Sequence, residues 1–213
     1  MASDGTRIFL MRHGEIDAQW HGKIYGSLDV PLSERGKSET RAAVAALHGV
    51  PLAAVVSSGL SRTEYAASAL RVQRGLPRRD DPALRELERG EWAGLPLTEL
   101  EARSPGAWRA WMEAPGRTRP PGGESLEDLA ERVVPRVGHW AEVHAHQTIA
   151  LITHGWVIRV LVCLSLGLEY DRAPFLDVRT GDLSLLAWPL PVQCARPRLV
   201  GFALDRRRGD SGL

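Results

Sequence analysis

The sequence predicts an α/β fold: three layers, α/β/α, about a mainly parallel central sheet, with a small helical cap. Three observations carry that expectation. The N-terminal third alternates strand, loop, helix, strand, helix, the pattern that sandwiches a parallel sheet between helices. Its strand segments are short continuous apolar runs, as strands covered on both faces require. The 213 residues, 44% hydrophobic and 25% charged, are enough for one domain with a sizeable core.

The elements follow in order. Arg7–Met11 (RIFLM) reads as the first strand and runs into Arg12-His13-Gly14. Residues 14–32 are rich in glycine and polar groups and read as loop. Ser33 is placed to cap a helix reaching about His48, with Gly49 to end it. Ala53–Ser57 is a second strand, and a helix from about Leu60 to Val72 comes next. Residues 90–123 differ: Trp92, Trp108, Trp111 and repeated prolines point to a cap with short helices near 96–103 and 105–113, Pro96 opening the first. Ser125 then caps a helix whose Leu126, Leu129, Val133, Val137 and Trp140 recur at helical spacing. Pro135 lies inside it and is expected to kink or split it. Thr148–Thr153 (TIALIT) is the clearest strand, ending at His154-Gly155, and residues 156–166 form a helix apolar nearly all round. Phe175–Val178, Leu183–Trp188 and Leu199–Leu204 are expected as later strands. The organisation expected is one domain over 1–204, residues 90–123 as its cap, and a frayed tail from 205 to 213.

Composition excludes several classes. A net charge of +1 gives no field for nucleic acid. The apolar stretch 149–168 is interrupted at Thr153-His154-Gly155 and at Arg159, so no membrane span is expected. The start MASDGT lacks the basic and apolar regions of a secretory signal, and the chain has no Asn to glycosylate. Cys163 and Cys194 form no metal or redox motif. A cytoplasmic protein is expected. His139, His144 and His146 close a helix, where cationic side chains favour the dipole, and no metal role is assigned to them.

Chemistry enters with two segments of one pattern. Residues 8–14 and 150–155 are both buried strands ending in His-Gly. Ligands of an open parallel sheet sit beyond the carboxyl ends of its strands, so His13 and His154 are expected in one crevice. Arg12 reaches the same edge, and Ser57-Ser58 leads to Arg62 there. Two guanidiniums suit a phosphate monoester, with about two negative charges. Helix N-termini near Gly155 and Gly59 would add donors, and Gly14 and Gly155 would let backbone approach the ligand. His13 can be the nucleophile, kept neutral by neighbouring Arg charge, and Glu86 or Glu88 can supply a proton. There is no GxxxxGK[ST] loop, Asp4-Gly5-Thr6 precedes the first strand, and no Arg stands six positions after Cys194.

These segments resemble the histidine phosphatase superfamily, the phosphoglycerate-mutase-like group. Arg12-His13-Gly14-Glu15 is similar to its RHGE signature, and residues 26–36 (GSLDVPLSERG) to its G-x-x-D-x-P-L-[ST]-x-x-G run. Residues 57–63 resemble S-x-L-x-R, residues 84–94 resemble L-x-E-x-x-x-G-x-W-E-G, residues 121–125 are PGGES, and Thr153-His154-Gly155 resembles the late SHG. The resemblance implies that His13 is phosphorylated, that Arg12, Arg62 and His154 hold the transferring group, and that Glu86 rather than Glu88 is the proton donor. It implies further substrate contacts from Gly14, Gln19, Gly155 and Trp156. Ile16 and Gln19 stand where the family often has Thr and Asn, and Trp156 where a second Gly is common. His21, Lys23 and Tyr25, in the loop after the signature, are candidate specificity contacts.

The function expected is a metal-independent phosphomonoesterase acting on a small phosphorylated metabolite, with no cofactor. A mutase of the same fold is the nearest alternative. The resemblance speaks against it, because family mutases carry a longer insertion before the late helix and residues 95–120 are compact. A non-catalytic phosphate-binding module is the other alternative. Within the family the short chain and the 26–36 run are similar to the α-ribazole phosphatases. Expected partners are the metabolite and, as one oligomeric option, a second copy in a homodimer.

Overall fold

A computed structural model describes residues 5–192 and 196–204. Asp4, Cys194 and the expected tail 205–213 lie outside the described residues. The strands are β1 (Gly5–Arg12), β2 (Leu52–Ser57), β3 (Thr148–Thr153), β4 (Leu183–Pro189) and β5 (Arg198–Leu204). The α-helices are α1 (Glu34–Ala46), α2 (Ser61–Arg74), α3 (Leu97–Arg103), α4 (Ala107–Glu113), α5 (Leu126–Val143) and α6 (Gly155–Leu166).

The sheet has the order β2-β3-β1-β4-β5. β2, β3 and β1 are mutually parallel, β4 runs antiparallel to β1, and β5 antiparallel to β4. β4 is therefore the one reversed strand, and the sheet is mixed. Side chains alternate across it. Ile8 and Leu10 join Ile149 and Leu151 in one core with α5 and α6. Phe9 and Met11 join Ala150 and Ile152 in a second core with α1 and α2. Two cores on two faces make the three layers. Trp92, Leu100 and Trp111 of the 90–123 segment belong to the first core, packed with α5 and α6.

Several elements depart from expectation, each for a local reason. α5 runs unbroken through Pro135. Pro135 is exposed, as is Glu131, whose carbonyl loses its partner; water can take that carbonyl, while Leu126, Leu129, Val133, Val137 and Ala141 anchor both halves in the core. α1 stops at Ala46, with Leu47 as its C-cap, and Gly49 plays no part in ending it. α2 continues to Arg74 and ends on left-handed Gly75 (φ 64°). Phe175–Val178 forms no strand. Residues Tyr170–Phe175 make a 3-10 turn, and the carbonyls beyond it are taken by guanidiniums: Arg159 Nε donates to Leu176 O at 2.9 Å and Arg12 Nη1 to Val178 O at 2.5 Å.

Candidate active site

Three adjacent parallel strands end on one edge. Arg12 pairs in register with Thr153, and Ser57 with Ile152. The next residues along β1 and β3 are thus His13 and His154, level with one another beyond the sheet, and the next along β2 is Ser58, level with Thr153. His13 is 1% exposed and His154 0%. Their ring centroids are 5.2 Å apart with the planes at 62°.

Hydrogen bonding fixes both tautomers. His13 Nδ1 lies 2.7 Å from Gly14 O. A carbonyl only accepts, so Nδ1 carries the proton and Nε2 presents its lone pair. Nε2 is buried without a protein partner. His154 is arranged the other way. Thr63 Oγ1 donates to Leu60 O at 2.8 Å, which uses its one hydrogen. Ser58 Oγ, 2.9 Å from Thr63 Oγ1, must then donate to it and accept from His154 Nε2 at 2.8 Å. His154 therefore carries its proton on Nε2, and its Nδ1 has no protein partner.

The two arginines are anchored from behind. Arg62, fully buried, donates from Nη1 to Leu28 O (2.5 Å) and from Nη2 to Gly26 O (2.8 Å). Arg12 is held through Val178 O. The Nε atoms of both are buried and unpartnered. Burial, then the charges of Arg62 and Arg12, hold the His13 pKa well below the ordinary histidine value. His154 is lowered in the same sense, by burial first and then Arg62. Both imidazoles are neutral near pH 7, and His13 Nε2 is a ready nucleophile.

Glu86 is buried beside this group. Its carboxylate accepts from Trp156 N at 3.2 and 3.3 Å and from Leu87 N at 3.0 Å. These bonds fix its position at a cavity of about 290 Å³, whose lining includes Arg12, Lys23, Tyr25, Glu86, Arg89, Trp108, Gly155, Trp156 and Arg159. Glu88, the other sequence candidate, points elsewhere: it accepts from Ser27 Oγ at 2.6 Å at the surface.

The remaining sequence candidates divide. Gly155, Trp156, Lys23 and Tyr25 line the cavity. His21 is exposed, its Nε2 3.2 Å from Ile16 O. Gln19 is exposed on a 3-10 turn and is not among the lining residues. Gly14 serves packing rather than ligand approach: a Cβ there would lie 2.0 Å from Gly36 O in α1. One amide at each of the two helix N-termini is held by a protein carboxylate. Ser61 N at the start of α2 donates to Asp29 Oδ1 (2.8 Å), and Trp156 N at the start of α6 to Glu86. Four contributors escaped the sequence reading. Ser58 and Thr63 orient His154, and Arg89 and Arg159 face the cavity. Only Arg159 carried a signal, as the lone charge within an otherwise apolar helix.

Comparison with known proteins follows the same lines. Residues 8–190 match the sequence profile of the family described as histidine phosphatase superfamily (branch 1). The chain is 34% identical over 189 residues to a glucosyl-3-phosphoglycerate phosphatase of Mycolicibacterium vanbaalenii, covering 85% of this chain and 82% of that one. It is also 34% identical over 185 residues to a 2,3-bisphosphoglycerate-dependent phosphoglycerate mutase of Methylobacterium radiotolerans, covering 82% and 85%. Among solved structures, a native mycobacterial glucosyl-3-phosphoglycerate phosphatase superposes with a TM-score of 0.85 at 30% identity, over 93% of this chain and 99% of that one.

Proposed function

The chain belongs to branch 1 of the histidine phosphatase superfamily, and from that premise we propose that it hydrolyses small phosphate monoesters through a phosphohistidine on His13. The observation that carries the reading is the His13 ring itself. Its Nδ1–H is tied to Gly14 O, and its buried Nε2 lone pair stands among Arg12, Arg62 and His154.

In the first step His13 Nε2 attacks phosphorus in line with the leaving oxygen. The P–N bond forms, the P–O bond breaks, and Glu86 gives its proton to the departing oxygen. In the second, water attacks the phosphohistidine and loses a proton to the Glu86 carboxylate. The P–N bond breaks and neutral His13 is restored. Charge on the transferring group is met by Arg12 and Arg62, fixed in place before the reaction. These guanidiniums do the electrostatic work that a divalent ion does elsewhere, so turnover is expected to persist in EDTA. Trp156 and Trp108 give the cavity an aromatic side, which keeps a nucleoside phosphate of the α-ribazole type among the candidate substrates.

The mutase relative makes isomerisation the second reading. Incubation with 3-phosphoglycerate and a trace of the 2,3-bisphosphate separates the two. Release of inorganic phosphate faster than 2-phosphoglycerate forms is the expected result. Interconversion with negligible phosphate release would establish the mutase instead.

A further inference from the structure

Four buried polar atoms at the ends of β1 and β3 and the start of α2 have no protein partner: His13 Nε2, His154 Nδ1, Arg12 Nε and Arg62 Nε. They belong to one group. The two rings lie 5.2 Å apart, and the charges of Arg62 and Arg12 bear on both. Polar atoms buried without partners are costly, so the set is built for an occupant, and the chemistry of each atom says what that occupant must offer.

Each arginine Nε carries a hydrogen and donates. His13 Nε2 is a lone pair, which the phosphatase reading aims at phosphorus. His154 Nδ1 is a lone pair too. Its ring hydrogen is held on Nε2 by Ser58 Oγ at 2.8 Å, because the Ser58 hydrogen goes to Thr63 Oγ1 (2.9 Å) and the Thr63 hydrogen to Leu60 O (2.8 Å). A phosphoryl group presents three peripheral oxygens, and in a fully ionised monoester all of them only accept. Two suit the arginine Nε–H groups. The third meets the His154 lone pair with no hydrogen between them. Two acceptors in contact repel, and one added proton turns that contact into a charge-assisted hydrogen bond.

We propose that His154 Nδ1 and a phosphoryl oxygen share one proton taken up together with the ester, so that His154 is the proton site that lets this enzyme bind its substrate in singly protonated form. This rests on the phosphatase reading above and deepens it. The charged and titratable groups acting on the His154 ring are Arg12 and His13 at the end of β1, Arg62 of α2 and Arg132 of α5, and with burial they keep it neutral in the free enzyme. The carboxylate beside the group, Glu86, is bonded to the amides of Leu87 and Trp156. An anion placed against Nδ1 favours the protonated ring. Protons balance through the cycle. The doubly charged ester enters with one proton from solvent. Glu86 gives its own proton to the leaving oxygen and regains one from the attacking water. The shared proton then departs with the product as dihydrogen phosphate.

Sulfate tests this, being a tetrahedral dianion with no proton of its own near neutral pH. Calorimetric titration at pH 7.5, in buffers of different ionisation enthalpy, reads the protons taken up. About one proton per sulfate is expected, with Kd weakening about tenfold per pH unit from 7 to 8. His154→Gln should bring the uptake near zero, and Glu86→Gln should leave it near one. Ser58→Ala removes the acceptor for Nε2–H, so the neutral ring can carry its hydrogen on Nδ1 and donate directly; uptake should fall toward zero while sulfate still binds. If that variant does not fold, Thr63→Val reads the same quantity, since Ser58 is then free to donate to Nε2. Sulfate binding by wild type without proton uptake, or no sulfate binding even at pH 6, would overturn the proposal. So would uptake that survives His154→Gln, vanishes in Glu86→Gln, or is undiminished when the Ser58–Thr63 relay is cut. In each of these cases hydrolysis of a monoester leaves the phosphatase reading standing; hydrolysis of no monoester would remove that reading itself.

Discussion

Two buried neutral histidines should make the fold acid-sensitive in a measurable way. His13 and His154 have native pKa values well below 6.5, chiefly through burial, whereas in the unfolded chain both titrate near 6.5. Below pH 6.5 the unfolded state takes up protons that the native state refuses, so stability falls as pH falls. For one imidazole that stays neutral when folded, the loss between pH 7.5 and 5.5 is about 1.4 kcal/mol, and for the pair about 2.7 kcal/mol. For a chain of this size that displaces a urea midpoint by roughly 1 M. The assay is urea unfolding at both pH values in phosphate-free buffer, for wild type and for His13→Gln/His154→Gln. Other titrating groups are common to both proteins and cancel in the comparison. The double variant is expected to lose about 2.7 kcal/mol less on acidification. Identical pH dependence would mean that the rings titrate in the native state as they do in the unfolded chain, and the claim that burial keeps them neutral would fall.

Other predictions follow from single contacts. Imidazole 15N shifts should show opposite neutral tautomers, with unprotonated Nε2 in His13 and unprotonated Nδ1 in His154; matching tautomers would break the Ser58–Thr63 relay. Ser58→Ala leaves the His154 Nε2–H without its acceptor, and kcat should drop roughly 5- to 100-fold, with a change within twofold counting against the relay. Glu86→Gln should lower kcat/KM for an alkyl phosphate by about 100-fold or more and much less for an aryl phosphate, whose leaving oxygen needs no proton; equal losses would deny Glu86 the acid role. Gly14→Ala sets a Cβ 2.0 Å from Gly36 O, an overlap costing about 3 kcal/mol or more, and a thermal midpoint within 2 °C of wild type would contradict it.

Much of the fold was legible because local signals agreed. β1, β2, β3 and α6 are apolar runs that tertiary packing left in place, and Ser33 and Ser125 are the N-caps their positions suggested. The convergence of His13, His154, Arg12 and Arg62 followed from placing each at a strand end or just beyond. What escaped depended on contacts remote in sequence. The 176–178 segment looked like a strand until guanidiniums claimed its carbonyls. Pro135 looked disruptive without knowing that its turn faces solvent. The motif residues turned out to be scaffold as often as chemistry. Glu15 accepts from Ser33 Oγ at 2.7 Å, Asp29 caps α2, and Glu124 holds Arg132 and the Glu88 amide, bracing the Glu86 segment against α5. Arg89 gave no sign in sequence, since only the folded chain brings Trp108 and Trp111 of α4 and Trp156 of α6 around it.

The most direct test of the account is a rapid-quench single turnover with a 32P-labelled monoester, followed by peptide mapping. Label that is stable in base, labile in acid and confined to the peptide holding residue 13, forming and decaying at rates consistent with kcat and absent from His13→Ala, is the result expected. Acid-stable label on another side chain, or undiminished turnover by His13→Ala, would contradict it.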